Sequence, residues 1–189
     1  MSEKQKMDIS AKKVTTPEFR VSFPAVFKPK AFEQQEAKYS IVMLFDKRVD
    51  LKDLKRAALN AAIEKWGPKE GWPKIRLPFK NGDEKQDLQG YPGTIVVNAS
   101  SKQRPGVVDK AVQPILDESQ FYAGCYARAT LIAFAYDKAG NRGIGFALQN
   151  IQKLRDGEPF SGRKKAEEEF DAVMDDVSEQ PADEASLGF

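Results

Sequence analysis

FYAGCYARATLIAFAYD, residues 121–137, sets two files of side chains in strict alternation. Phe121, Ala123, Cys125, Ala127, Ala129, Leu131, Ala133 and Ala135 form one file. Tyr122, Gly124, Tyr126, Arg128, Thr130, Ile132, Phe134 and Tyr136 form the other. A period of two marks a β-strand with two distinct faces. The run is far longer than the usual strand of about five or six residues, and its early glycine predicts a strand that bends around a barrel and serves both sides of it. The turn Lys138-Ala139-Gly140-Asn141 closes a hairpin onto residues 143–154, where Ile144, Phe146 and Leu148 share one face. The phase slips near Gln149 and Asn150 before Ile151, as a β-bulge would make it.

The same period recurs nearer the N-terminus. Phe19, Val21, Phe23, Ala25 and Phe27 alternate with Arg20, Ser22, Pro24, Val26 and Lys28, and Pro24 marks an edge or a bulge. Residues 38–46 carry Tyr39, Ile41, Met43 and Phe45 on one face and Ser40, Val42 and Leu44 on the other. Asp50 then caps a helix with the stripe Leu51, Leu54, Ala58, Ala61 or Ala62 and Ile63, and Gly67-Pro68 stops it. Residues 67–93 hold five glycines and four prolines, a long excursion of the kind that is functional or mobile. A short strand at 94–98 and a second loop at 99–120 lead back to the hairpin. About five strands, one helix and long loops predict a mainly β fold, an OB-fold-like five-stranded antiparallel barrel, with a sandwich as the alternative. The barrel domain is expected over residues 17–160, after a flexible arm at 1–16 and before an acidic tail at 161–189. In that tail Phe170, Val173, Met174 and Val177 fall at helical spacing, but Asp175 and Asp176 oppose the helix dipole. The expectation is a marginal amphipathic helix that forms against a partner, followed by disorder.

The chain has 189 residues, 41% apolar and 31% charged, so it reads as an ordinary globular protein. Charged residues at Glu3, Lys4, Lys6 and Asp8 replace a signal peptide's apolar run, and no stretch is long enough to span a membrane. A cytoplasmic protein without membrane contact is expected. With no histidine and Cys125 as the single cysteine, no disulfide, zinc cage or imidazole base is available, so no metal, cofactor or catalytic set is expected. The net charge of +2 conceals an asymmetry: none of the 30 basic residues follows Lys165, whereas nine of the 28 acidic ones do, leaving +11 on the body and −9 on the tail. A basic body with an acidic tail is the footprint of a polyanion binder, against the plainer reading of a solubilising tail.

The excursion interleaves Trp66, Trp72, Phe79 and Tyr91 with Lys69, Lys74, Arg76, Lys80 and Lys85. Aromatic faces stack on bases while cations neutralise phosphates, which suits single-stranded nucleic acid. Trp72, Phe79, Tyr122 and Tyr126 are the candidate stacking rings, and Lys28, Lys30, Arg76, Lys80, Lys102, Arg104, Arg128 and Arg142 the candidate phosphate contacts. Each ring has a plainer reading as core packing, and Arg128 as a satisfied core arginine. Tyr122 and Tyr126, four residues apart on one strand face, would stand about 13 Å apart. Glu36-Ala37-Lys38 has the spacing of a metal-dependent nuclease motif but lacks a partner aspartate in suitable context. Gly143-Ile144-Gly145 lacks the third glycine of a dinucleotide site. The tail ends in Leu187-Gly188-Phe189; as a coil of about 27 Å it revisits the body at roughly millimolar effective concentration, where it could mimic DNA until single strands displace it.

Four segments carry a resemblance: Arg104-Pro105-Gly106-Val107-Val108-Asp109, residues 121–129, Gly140-Asn141-Arg142-Gly143 and residues 148–157, LQNIQKLRDG. Over roughly residues 17–160 the chain resembles a family of bacteriophage single-stranded DNA-binding proteins. The resemblance implies an oligonucleotide-binding barrel, a role in replication and recombination in the infected host cell, and an acidic tail that recruits DNA polymerase or other replication proteins. Phe170, Asp175, Asp176, Asp183, Glu184 and Phe189 are the candidate tail contacts, with Phe189 in the place of the family's terminal aromatic. The tip departs from the Asp-Asp-Ile-Pro-Phe ending of cellular bacterial relatives. Homodimers occur among related phage proteins, which leaves a dimer open here. The combined expectation is a protein that coats single-stranded DNA without strong sequence preference. The rivals are a protein-interaction module, a duplex-coating protein, and a nuclease or annealing enzyme using Glu36 and Lys38.

Overall fold

In the computed structural model, which describes residues 11–160 and 170–173, the alternating segments pair into eight strands. They are β1 (Lys13–Thr15), β2 (Phe19–Lys30), β3 (Lys38–Asp46), β4 (Lys80–Asn81), β5 (Thr94–Ser101), β6 (Gly106–Val108), β7 (Tyr126–Lys138) and β8 (Asn141–Arg155), with α1 (Lys52–Trp66) following β3. Five strands close a ring: β7 to β2, β2 to β3, β3 to β5 and β8 to β7 are antiparallel. The ring closes where β5 meets β8 in parallel. This is the expected five-stranded barrel, with one pairing in parallel. That pairing follows from the connection: β6, a long loop and β7 intervene before β8, enough chain for the crossover a parallel pair requires.

The inward files fill the barrel. Phe19, Val21, Ile41, Met43, Phe45, Val97, Leu131, Phe146 and Leu148 are all buried, and Phe19 meets Phe45 edge-on at 5.6 Å. The alanine file of β7 lies against α1, whose buried residues are Leu54, Ala57, Ala58, Ala61 and Ala62. Ile63, expected on that stripe, is instead 37% exposed, because it lies nine residues from Leu54, about two and a half turns, and so on the opposite face of the helix. Asp50 accepts the Lys52 N–H at 2.9 Å, and Gly67, at φ 74, returns its N–H to Ile63 at 2.8 Å.

Both sequence irregularities are bulges. Ser22 faces Val42 and Ala25 faces Ser40, so Phe23 and Pro24 together oppose one residue; Phe23 takes φ 40, and the proline's missing N–H is unneeded there. In β8, Asn150 faces Thr130 and Leu148 faces Leu131, which leaves Gln149 as the extra residue.

Three expectations change. The long strand begins at Tyr126 and not at Phe121, because Gly124 turns the chain at φ 110, so Tyr122 and Tyr126 do not share a strand face. The ordered sheet reaches ahead of Pro17: β1 pairs with β7, and buried Thr16 accepts the Ala129 N–H at 3.0 Å. The excursion at 67–93 is strapped to the barrel. Trp72 Nε1 donates to Gly67, Arg76 exchanges backbone hydrogen bonds with Arg142 and Ile144, and β4 pairs with β5. In the tail, residues 170–173 are exposed and not helical. Asp175, Asp176, Asp183, Glu184 and Phe189 lie outside the described residues, as does most of the expected helix.

Candidate nucleic-acid interface

The outward files of the ring meet in rows, because strand register lines them up. Val42 faces Asn98, the parallel register sets Asn98 beside Gly145, and Gly145 faces Phe134. A second row runs Ala25, Ser40, Ser100, Ala147 and Ile132. It crosses four interstrand spacings, about 19 Å. Small side chains over most of both rows make a trough, which holds a cavity of about 570 Å³ bounded by Phe23, Lys30, Phe32, Ser40, Asn98 and Ser100.

Exposed aromatic rings stand on both rims. On one side the β2 bulge turns Phe23 outward to 59% exposure, and the β2–β3 loop holds Phe32 at 66%. On the other side Phe134, 42% exposed, and half-buried Tyr136 lie 6.3 Å apart. Their seats are glycines: a Cβ on Gly145 would fall 2.6 Å from Phe134 Cζ, and one on Gly143 would fall 2.7 Å from Tyr136 Cζ. Each ring therefore covers the bare backbone of its cross-strand partner.

The cations follow the rims. Lys30 and Lys38 face each other at the end of the β2–β3 arm, a like-charge pair that is unfavourable until an anion comes between them. Lys30 Nζ also lies 5.6 Å from the Phe32 ring. Lys102 pairs with Glu36 at 2.9 Å; that hydrogen bond, then the charges of Lys102 and Lys38, hold the Glu36 carboxyl below its ordinary range. At the far rim Arg76 lies along β8 beside Gly143, and Arg142 Nε donates to Asp137 at 2.8 Å. Lys80 is exposed on β4, next to Val96.

Of the residues expected to bind, Lys30, Lys102, Arg76 and Arg142 thus gather around the trough, with Lys80 on its flank. The others stand elsewhere. Lys28 pairs with Glu118 at 3.9 Å and the Arg104 guanidinium lies over Phe27 at 5.9 Å. Trp72 and Phe79 pack on the core, Phe79 edge-on to Phe146 at 6.1 Å, which is the packing role rather than stacking. The Tyr122 hydroxyl donates to Asp156 at 2.8 Å; burial first, then that bond, pushes it up to about 12. The Tyr126 ring is flanked by the guanidiniums of Arg155 at 3.7 Å and Arg20 at 5.6 Å, from the strands on either side, so its faces are already covered. Arg128 donates to Gln152 at 2.7 Å and sits six residues along β7 from Phe134, about 20 Å away. Sequence reading missed Phe23, Phe32, Phe134, Tyr136, Lys38 and Asn98. The signal was present in Gly143 and Gly145, spaced two apart on the strand that faces Phe134 and Tyr136.

Among the described residues no group of three or more Asp, Glu or Cys side chains stands close enough to hold a metal ion, and Glu36 is the counter-ion of Lys102. No described helix is long and apolar enough to cross a membrane.

The chain is 36% identical over 166 residues to a protein designated p50 from Acyrthosiphon pisum secondary endosymbiont phage 1, covering 80% of this chain and 89% of that one. Its fold is similar to the solved single-stranded DNA-binding protein of bacteriophage Enc34. The TM-score is 0.66 at 25% identity, over 86% of this chain and 91% of that one. Against the same phage protein in complex with single-stranded DNA the TM-score is 0.67 at 23% identity, over 80% and 90%. Residues 12–182 match the family described as Enterobacter phage Enc34 ssDNA-binding protein, and the chain belongs to that family of phage single-stranded DNA-binding proteins.

Proposed function

We propose that this protein coats single-stranded DNA during phage replication and recombination by drawing one strand across the outer face of β3, β5, β8 and β7. The observation that carries this reading is the trough itself: a floor of small residues between the Phe23–Phe32 and Phe134–Tyr136 rims, with Lys30, Lys38, Arg76 and Arg142 along them. Stacking and charge neutralisation act on any base, so binding is broad in sequence. The strand face of an oligonucleotide-binding barrel and its flanking loops are also where such folds hold their ligands. The role is binding rather than catalysis, exercised in the host cytoplasm.

The acidic segment after Lys165 supports a second role, recruitment of DNA polymerase or other replication proteins, with that segment competing for the trough until DNA arrives. Ahead of that segment, Phe160 donates its N–H to Ala123 at 3.0 Å and its ring lies beneath the Arg20 guanidinium. A homodimer belongs to this proposal through family resemblance. Deleting residues 166–189 should tighten DNA binding at low salt, and weaker or unaltered binding would remove the competition.

The test is a titration of the full chain with labelled single-stranded and matching double-stranded oligonucleotides at several salt concentrations. Preference for single strands, with a log–log salt slope of about −0.7 per phosphate contact, supports the trough. Equal affinity for both forms would overturn it.

A further inference from the structure

The cavity in the trough holds polar groups that stacking and phosphate contacts leave unused. Asn98 is exposed at the centre of β5, flanked across the sheet by Val42 and Gly145. Its amide and the hydroxyls of half-buried Ser40 and Ser100 have no hydrogen-bond partner among the described residues. All three line the cavity of about 570 Å³ whose rim carries the exposed rings of Phe23 and Phe32. A ring to stack on and a free amide on the floor are the complement of a nucleobase, which has a π-face and an edge of fixed donors and acceptors.

We propose that this cavity is a base pocket, in which one base of the bound strand stacks on Phe32 and adenine is selected by Asn98. The amide oxygen accepts from the adenine N6 amino group while the amide nitrogen donates to N7, the two-bond pairing that asparagine makes with adenine. Guanine offers two acceptors on that edge and would set its O6 against the amide oxygen. Pyrimidines have no N7, so on that edge they offer the amide only the exocyclic group. This inference rests on the trough reading above and adds one selective position to an otherwise general site.

The experiment uses the full chain and nine-residue dT strands whose central residue is dT, dA, dG, dC or 7-deaza-dA, read by fluorescence anisotropy. The dA strand should bind about tenfold tighter than all-dT, near the lower end of what a bidentate base contact provides. The 7-deaza-dA strand, which lacks N7, should fall back to the all-dT level. Asn98→Ala should erase the dA advantage, so that the dA and all-dT strands bind the variant alike. Asn98→Asp, able to accept from the cytosine amino group but not to donate to N7, should move the preference to dC. Equal wild-type affinity for the dA and dT strands, or a dA preference that survives in Asn98→Ala, overturns the base pocket while the trough stands. Failure of every strand to bind overturns both.

Discussion

Replacing Phe134 with alanine separates the trough from every other DNA path over this barrel. The ring is 42% exposed, lies on Gly145, and stands beside Tyr136 at the far rim. A base stacked on such a ring is worth about 1 to 3 kcal/mol, so a middle value of about 2 kcal/mol predicts roughly thirtyfold weaker binding at fixed salt. No charge is removed, so the salt slope should not change. The cross-strand contact with Gly145 is worth roughly 0.2 to 1 kcal/mol, which lowers the melting temperature by at most about 4 °C in a chain of this size. Anisotropy titration at three salt concentrations, with thermal unfolding alongside, measures all three quantities. Tyr126→Ala is the counterpart: its ring is flanked by Arg20 and Arg155, so DNA affinity should hold within about twofold while stability falls. Full affinity in Phe134→Ala, or an equal loss in Tyr126→Ala, would refute the trough and move the strand toward the other end of β7.

Four further outcomes are expected. The double variant Lys30→Gln, Lys38→Gln should flatten the salt slope by about 1.4, so that the affinity lost between 50 and 200 mM salt shrinks about sevenfold; an unaltered slope would take these lysines off the DNA path. Glu36→Gln releases Lys102 from its partner and should tighten binding severalfold at low salt, with the gain fading as salt rises; weakened binding would contradict the competing role of that carboxylate. Leu131→Ala empties a fully buried site in the barrel and should cost about 2 to 5 kcal/mol in denaturant unfolding, where a loss under 1 kcal/mol would show the site is not packed as described. Tyr122, pushed up to about 12 in the fold, favours the neutral phenol, so its contribution is complete below about pH 10 and is lost as pH rises toward 12. Denaturant midpoints across that window should fall more steeply in the wild type than in Tyr122→Phe, and parallel curves would refute the assignment.

The barrel could be read from the chain because period two is a local property. Residues 19–22, 38–46 and 126–137 alternate so strictly that their inward files, among them Val21, Met43 and Leu131, needed no knowledge of their partners, whereas beyond Ser22 the bulge turns Phe23 outward and passes the inward position to Val26. The bulges at Pro24 and Gln149 could be read for the same reason, since a missing donor or an extra residue breaks the pattern where it stands. The body's charge and the family segments likewise pointed to a nucleic-acid binder before any contact was known.

The binding face was another matter, because alternation shows that a residue points away from its neighbour without showing what it meets there. Trp72, Phe79, Phe134 and Tyr136 are all aromatic. Phe79 became core when the excursion folded onto Phe146, and Phe134 became a rim residue when register set it over Gly145. Gly124 moved Tyr122 off the strand, and Arg20 and Arg155 converged on Tyr126 from strands distant in sequence. The trough floor assembled in the same way, as Ser40, Ser100 and Ala147 came into one row through antiparallel and parallel pairings. Hydrophobic pattern is encoded residue by residue, whereas a surface that holds a ligand depends on interstrand register, which only chain closure selects.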